Sequence, residues 1–175
     1  MCLVNPEKIE IGKDRTCYKV VKPQIYFKFI GGKKTFAPSV YSPLNPYRWD
    51  RGKEQHTGTE RAIIWPVSEP ASVAAYGSAL NVKSVINHSA FHSYKTIEGA
   101  VNLMKRFLEE DGRPLNEFLK RYAIAEFKIP VSSRFVYEGF HTYDNQVSEG
   151  EGYASEGLTY VKTIKREKYV ELLKQ

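Results

Sequence analysis

Apolar positions along the 175-residue chain follow two rhythms. After Thr96, residues Ile97, Ala100, Val101, Met104, Phe107 and Leu108 recur at the three-and-four spacing that lines one stripe of an α-helix. Thr96 suits the N-cap, Glu98 complements the positive end of the helix dipole, and Asp111-Gly112 supplies a stop. A shorter helix is expected next, with Leu115, Phe118, Leu119 and Tyr122 on one face. The second rhythm has period two. Ala123, Ala125, Phe127 and Ile129 alternate with Ile124, Glu126 and Lys128, as in a strand, and Pro130 ends the run. Residues 16–21 and 24–30 are rich in β-branched and aromatic side chains, and Gly31-Gly32-Lys33-Lys34 after them reads as a turn. Residues 61–65, 134–140 and 158–165 are further strand candidates. Residues 69–80 read as a helix, with Pro70 in the first turn and Val73, Tyr76 and Leu80 sharing a face. Residues 166–174 read as a closing amphipathic helix.

Between these elements, residues 1–15 read as an extended N-terminal arm, because Pro6 and Gly12 oppose a long helix. Residues 42–58 carry Pro43, Asn45, Pro46, Asp50 and Gly52, the chemistry of a long loop. The pattern implies an α+β fold. Its sheet is expected to be twisted and mostly antiparallel or mixed, within a single domain over residues 1–175, with two or three helices packed on it. The helix that begins at Ile97 is expected to cover one face.

Composition narrows the class. The hydrophobic fraction of 42% and charged fraction of 26% are those of a globular chain, which excludes wholesale disorder. No apolar run approaches the roughly 18 residues of a membrane-spanning helix. The opening Met-Cys-Leu-Val-Asn-Pro-Glu-Lys lacks the basic region and apolar core of a secretory signal, so the expected location is the cytoplasm, with no membrane partner. Cys2 and Cys17 are too few for a disulfide framework. A net charge of +6 favours acidic partners, either nucleic acid or an acidic protein face. The basic stretches at 28–34 and 162–168 are short and interrupted, as solvated surfaces are.

Four constellations bear on chemistry. Cys2, Cys17, His56, His88, His92 and His141 are the available ligands; His88 and His92 stand four apart, but Asn87, Ser89 and Ser93 around them favour loop or strand over helix, no cysteine pair has zinc-site spacing, and no metal is expected. Removal of Met1 would leave the Cys2 thiol beside a free α-amine, an N-terminal nucleophile in principle, against which a packed cysteine is the plainer expectation. Tyr47-Arg48-Trp49 combines aromatic rings with a guanidinium, which suits recognition of a protein surface or the stacking of nucleic-acid bases, and equally suits pinning a loop. Finally, Glu149-Gly-Glu151 resembles the paired-glutamate motif that precedes the final strand of some ADP-ribosyltransferases. That resemblance implies NAD binding in a split, mostly antiparallel sheet, with Glu149 or Glu151 holding the nicotinamide ribose and stabilising charge at the anomeric carbon. The chain departs from that family in having no Ser-Thr-Ser motif and no Arg or His within the candidate first strand at 18–21.

Several ordered segments carry a wider resemblance: Met1-Cys2-Leu3, Cys17-Tyr18-Lys19-Val20, Ser42-Pro43 with Tyr47, Phe91-His92-Ser93-Tyr94, and Tyr153-Ala154-Ser155 with Leu158, Tyr160 and Val161. In this order they resemble a group of small proteins from gut anaerobic bacteria and their phages, for which no activity is established. The resemblance implies a phage or mobile-element setting and carries no site. His92 and Tyr94 alternate on a short strand, and Tyr153 and Ser155 precede another; if these edges meet, the four converge on one cleft or one hydrogen-bonded network. The function expected from all of this is non-enzymatic binding of a macromolecular partner, a host factor or virion component. An NAD-using transferase and a nucleic-acid-binding protein are the alternatives.

Overall fold

Pairing between strands, rather than packing between helices, organises the chain. The computed structural model describes residues 2–30, 33–44, 47–75, 78–87, 89–143 and 148–175. The strands are β1 (Cys2–Ile9), β2 (Arg15–Ile30), β3 (Lys33–Tyr41), β4 (Arg48–Asp50), β5 (Glu54–His56), β6 (Ile64–Ala75), β7 (Ser78–Ile86), β8 (Phe91–Tyr94), β9 (Ala123–Ile129), β10 (Val136–Thr142), β11 (Ser148–Ser155) and β12 (Gly157–Thr163). The helices are α1 (Ile97–Asp111), α2 (Leu115–Arg121) and α3 (Val170–Lys174), the last preceded by a 3-10 turn at Arg166–Lys168. The order across the sheet is β5-β12-β9-β2-β8-β11-β10-β1-β7-β6, with β3 on β2 and β4 on β3. Neighbouring strands run antiparallel throughout these pairings.

The expected α+β class is therefore corrected. The chain is β-rich: its described residues form twelve strands and only three short helices. Two segments account for the difference. Residues 69–80, read as a helix, belong instead to the β6–β7 hairpin, whose pairs run from Ala71↔Val82 to Ala75↔Ser78. Prolines are tolerated there because β6 is an edge strand, where N–H groups facing away from β7 make no ladder bond, and Pro70 falls in the register break between Pro66 and Ala71. Tyr76, named for the helical face, lies outside the described residues. The glycine-rich run around Glu149, which the sequence pattern assigns to no element, is β11, a central strand between β8 and β10.

Other elements lie close to expectation. Thr96 caps α1, its Oγ1 accepting from Gly99 N at 3.2 Å, and Gly112 closes it in the left-handed region with its N–H on the Leu108 carbonyl. The apolar stripe of α1 (Ala100, Val101, Leu103, Met104, Phe107) packs with Phe118 and Leu119 of α2 and Leu173 of α3 over Val20, Tyr94 and Ile124 of the sheet. The opposite face gathers Cys17, Val21, Trp49, Phe91, Phe127 and Tyr160. β9 divides its side chains between the two: Ala123, Ala125, Phe127 and Ile129 to one cluster, Ile124 to the other. Full burial of side chains such as Phe127 and Ile124 is worth about 1.5–3 kcal/mol each.

The two segments expected at 16–21 and 24–30 form one strand that continues through Pro23. Its first half pairs with β9 and its second half with β3. The stretch expected as an arm is β1, inserted between β10 and β7. A bulge there puts Asn5 at φ 47°. The Asn5 side chain then donates to the Asn81 carbonyl and accepts from Lys83 N, both at 2.7 Å, prolonging the short β1–β7 ladder. Residues 42–58 contain β4 and β5 rather than loop alone. Among the described residues no helix is long and apolar enough to cross a membrane.

Candidate functional site

The sheet has a split. β8 is fully laddered to β11 on one edge, from Phe91↔Ser155 to Tyr94↔Gly152, but meets β2 through the single pair Tyr18↔Tyr94. Past Tyr18 the two strands separate, and Lys19 fills the gap. Its Nζ donates to the His92 carbonyl oxygen and lies 5.5 Å from the centre of the Trp49 ring. Lys19 is 7% exposed, and no carboxylate of the described residues pairs with it. Burial pulls its pKa down to about 8, with the neighbouring Cys17 acting weakly the other way.

His92 and Tyr94 leave the same face of β8, and both rings meet that of His141 from β10, at centroid distances of 5.1 and 5.0 Å. His141 is fully buried. Its Nε2 lies 2.9 Å from the Ser93 carbonyl and 3.2 Å from that of Tyr153, and its Nδ1 lies 3.3 Å from that of Cys2. Burial lowers its pKa to about 4, so the ring is neutral at pH 7, and the shortest contact assigns the proton to Nε2. This ring explains a glycine: a Cβ on Gly152 would lie 2.2 Å from His141 Cδ2 and 2.4 Å from the Ser93 carbonyl oxygen. His92 is neutral for the same reason, burial first and the adjacent His141 second. Its Nε2–H donates to the Asn87 carbonyl, which leaves Nδ1 as an acceptor with no partner. Tyr94 is 1% exposed, and burial, reinforced by Glu149, raises its hydroxyl pKa well above the ordinary value.

The other residues singled out from sequence lie elsewhere. Register puts Tyr153 and Ser155 opposite Ser93 and Phe91, on the sheet face away from His92 and Tyr94. Tyr153 accepts from Arg15 at 3.4 Å, and Ser155 donates to the Gly157 carbonyl at 2.9 Å. Trp49 is 1% exposed and packs edge-on against Phe91 and Phe127. Tyr47 lies edge-on to Phe91 at 4.9 Å, and Arg48 bonds Asp50 at 2.9 Å, so this trio anchors the loop to the core. Glu149 and Glu151 diverge around Gly150 (φ 148°). Glu149 is buried and accepts from Tyr143 N at 3.0 Å; Glu151 is exposed and pairs with Lys95 at 2.8 Å.

Two features had no sequence signal. His56 is clamped between Glu54 and Glu156, at 2.7 Å to each, which ties β5 to the β11–β12 turn; the Glu156 bond is the main reason its pKa is raised. Ile63, Ile64 and Trp65 are exposed in succession where β6 begins. No group of three or more potential metal ligands gathers among the described residues; His88 lies outside them.

At the split, Lys19, His92 and Tyr94 line a recess together with Ser42, Pro43 and Leu44 and the apolar Val20 and Leu103. The recess is narrow, with room for about one water. Chemically it offers one buried cation and one unused lone pair. No family model, curated protein or solved structure matches the chain.

Proposed function

We propose that the chain is a non-enzymatic accessory protein, in a phage or mobile-element setting, that binds a protein partner through the apolar edge at the base of the β6–β7 ribbon. The observation that carries this reading is the run Ile63, Ile64 and Trp65, exposed at 52%, 41% and 58%. The backbone that presents them is held, not loose. Ile63 N donates to Ser89 Oγ at 2.8 Å, and Ile64 and Trp65 pair with Ile86 and Val85. Beside them β1 contributes only the pairs Leu3↔Ile86 and Val4↔Val85, beyond which the ribbon continues as two strands. A two-stranded ribbon is marginal in water without a third layer. A partner surface would supply that layer.

The partner's chemistry follows from charge. The chain carries +6, and exposed Arg61 and Lys83 flank the patch. An apolar contact face rimmed by acidic groups fits this edge, with the Trp65 indole as its anchor. The transferase reading draws less support, because Glu149 and Glu151 do not share a site.

The test captures partners with the intact protein and compares the Ile63→Ser/Trp65→Ser variant with Tyr47→Ala. A partner whose affinity falls about thirtyfold or more in the first variant and is kept by the second supports the reading. A partner held equally by the double variant removes it. Affinity that collapses steeply with added salt points to nucleic acid instead.

A further inference from the structure

The geometry points to a second site, at the split between β2 and β8: a recess that takes one protonated oxyanion, hydrogen phosphate or the end of a phosphate monoester. Lys19 presents an ammonium with three N–H groups, one of them used on the His92 carbonyl. Its Nζ also faces the Trp49 ring, and Lys19 lines the recess. A buried cation with no counter-ion among the described residues favours an anion over a neutral molecule, and a water would satisfy its geometry but not its charge.

His92 sets the second requirement. With Nε2–H committed to the Asn87 carbonyl, the buried Nδ1 has a lone pair and no donor to meet it. The occupant must therefore carry O⁻ for Lys19 and O–H for His92 in one small group. A phosphate monoester or hydrogen phosphate has both near neutral pH; sulfate and carboxylates have O⁻ alone. Ser42 in the lining adds a hydroxyl whose oxygen accepts from Leu44 N at 3.4 Å and whose proton remains to be donated. The recess has room for about one water, so it takes a single phosphate oxygen, and the rest of the group projects outward from it.

The depressed pKa values of Lys19 and His92 agree with this arrangement. Both groups are desolvated, so an anion that restores a counter-charge to Lys19 and a donor to His92 relieves what burial costs them.

The experiment titrates the wild-type protein with inorganic phosphate and, separately, with sulfate at neutral pH and fixed ionic strength, by calorimetry. Phosphate is expected to saturate, and sulfate to bind about tenfold more weakly, the worth of one hydrogen bond. Lys19→Met should abolish saturation by both ions. His92→Phe should bring the two affinities together. Equal affinities in the wild type, no saturation by phosphate, or full phosphate affinity in a folded Lys19→Met would each overturn the proposal, and the wild-type comparison decides it even if a variant does not fold. Glycerol phosphate is the third probe. Tighter binding than phosphate assigns the site to a monoester, and weaker binding assigns it to the free ion.

Discussion

Gly152→Ala offers the sharpest test of the architecture. The added methyl would lie 2.2 Å from His141 Cδ2, 2.5 Å from His141 Nε2 and 2.4 Å from the Ser93 carbonyl oxygen. Relief requires a displacement of about 1 Å or more, and neither neighbour is free to make it. The His141 ring is 0% exposed, wedged against His92 and Tyr94, and faces three backbone carbonyls. Ser93 is backbone of β8, paired directly with Tyr153 of β11. Overpacking a core ordinarily costs about 1–3 kcal/mol. Loss of a His141 hydrogen bond adds about 1 kcal/mol, and the reduced entropy of the unfolded chain returns less than that. The net is about 3 kcal/mol, which lowers Tm by about 6–12 °C for a chain of this size. Gly12→Ala is the control, since no atom lies within 4 Å of its added Cβ and its φ is not positive. It should stay within about 0.5 kcal/mol of wild type. Thermal and urea unfolding followed by circular dichroism measure both. If Gly152→Ala matches the control, β11 does not pass His141 in this register, and the split beside it is misplaced.

Acid should destabilise the fold through the same ring. His141 holds a pKa near 4 when folded against 6.5 unfolded, so the unfolded state binds more protons between those values, and stability falls as pH drops from about 6.5 towards 4. The slope is roughly 1.4 kcal/mol per pH unit from this group, with His92 adding in the same direction. His56 acts above this window: its raised pKa lends stability that is full below 6.5 and lost as pH rises through the raised value, and with its side chain 38% exposed the effect is small. Urea midpoints that stay flat across this window would contradict the buried neutral histidines. Fluorescence separates the two tryptophans: Trp65→Phe should leave a blue-shifted emission that acrylamide barely quenches, from Trp49, whereas the wild type shows a quenchable component. Equal quenching of both proteins would place Trp65 inside the fold.

What the sequence disclosed follows how locally each element is determined. α1 was legible because its stripe, its Thr96 cap and its Gly112 stop lie within one contiguous run. β9 was legible because alternation survives even when both faces are buried. Residues 69–80 were not, since a run of Ala, Ser and Val satisfies either period and the decision came from pairing with β7. β11 was hidden by its glycines, which weaken any strand pattern; only His141, on the neighbouring β10, shows why a side chain is excluded at Gly152. Of the candidate site, His92 and Tyr94 were named from sequence. Their meeting with Lys19 and His141 depends on strand order, which no local pattern encodes. The Tyr47–Trp49 trio shows the converse: its composition suits a recognition surface, and only packing reveals that Trp49 is core.

The register of β1 has a consequence for synthesis. Cys2 pairs with Thr142 and Ile9 with Val136, so β1 leaves the ribosome long before one of its two neighbours exists. Until then it must stay unpaired on that side. Assembly of this sheet is thus tied to late translation and should be slow, as closure of very long loops dictates. A nascent chain that stalls before β10 emerges exposes strand edges that invite aggregation, and a chaperone acting at that stage would find them waiting.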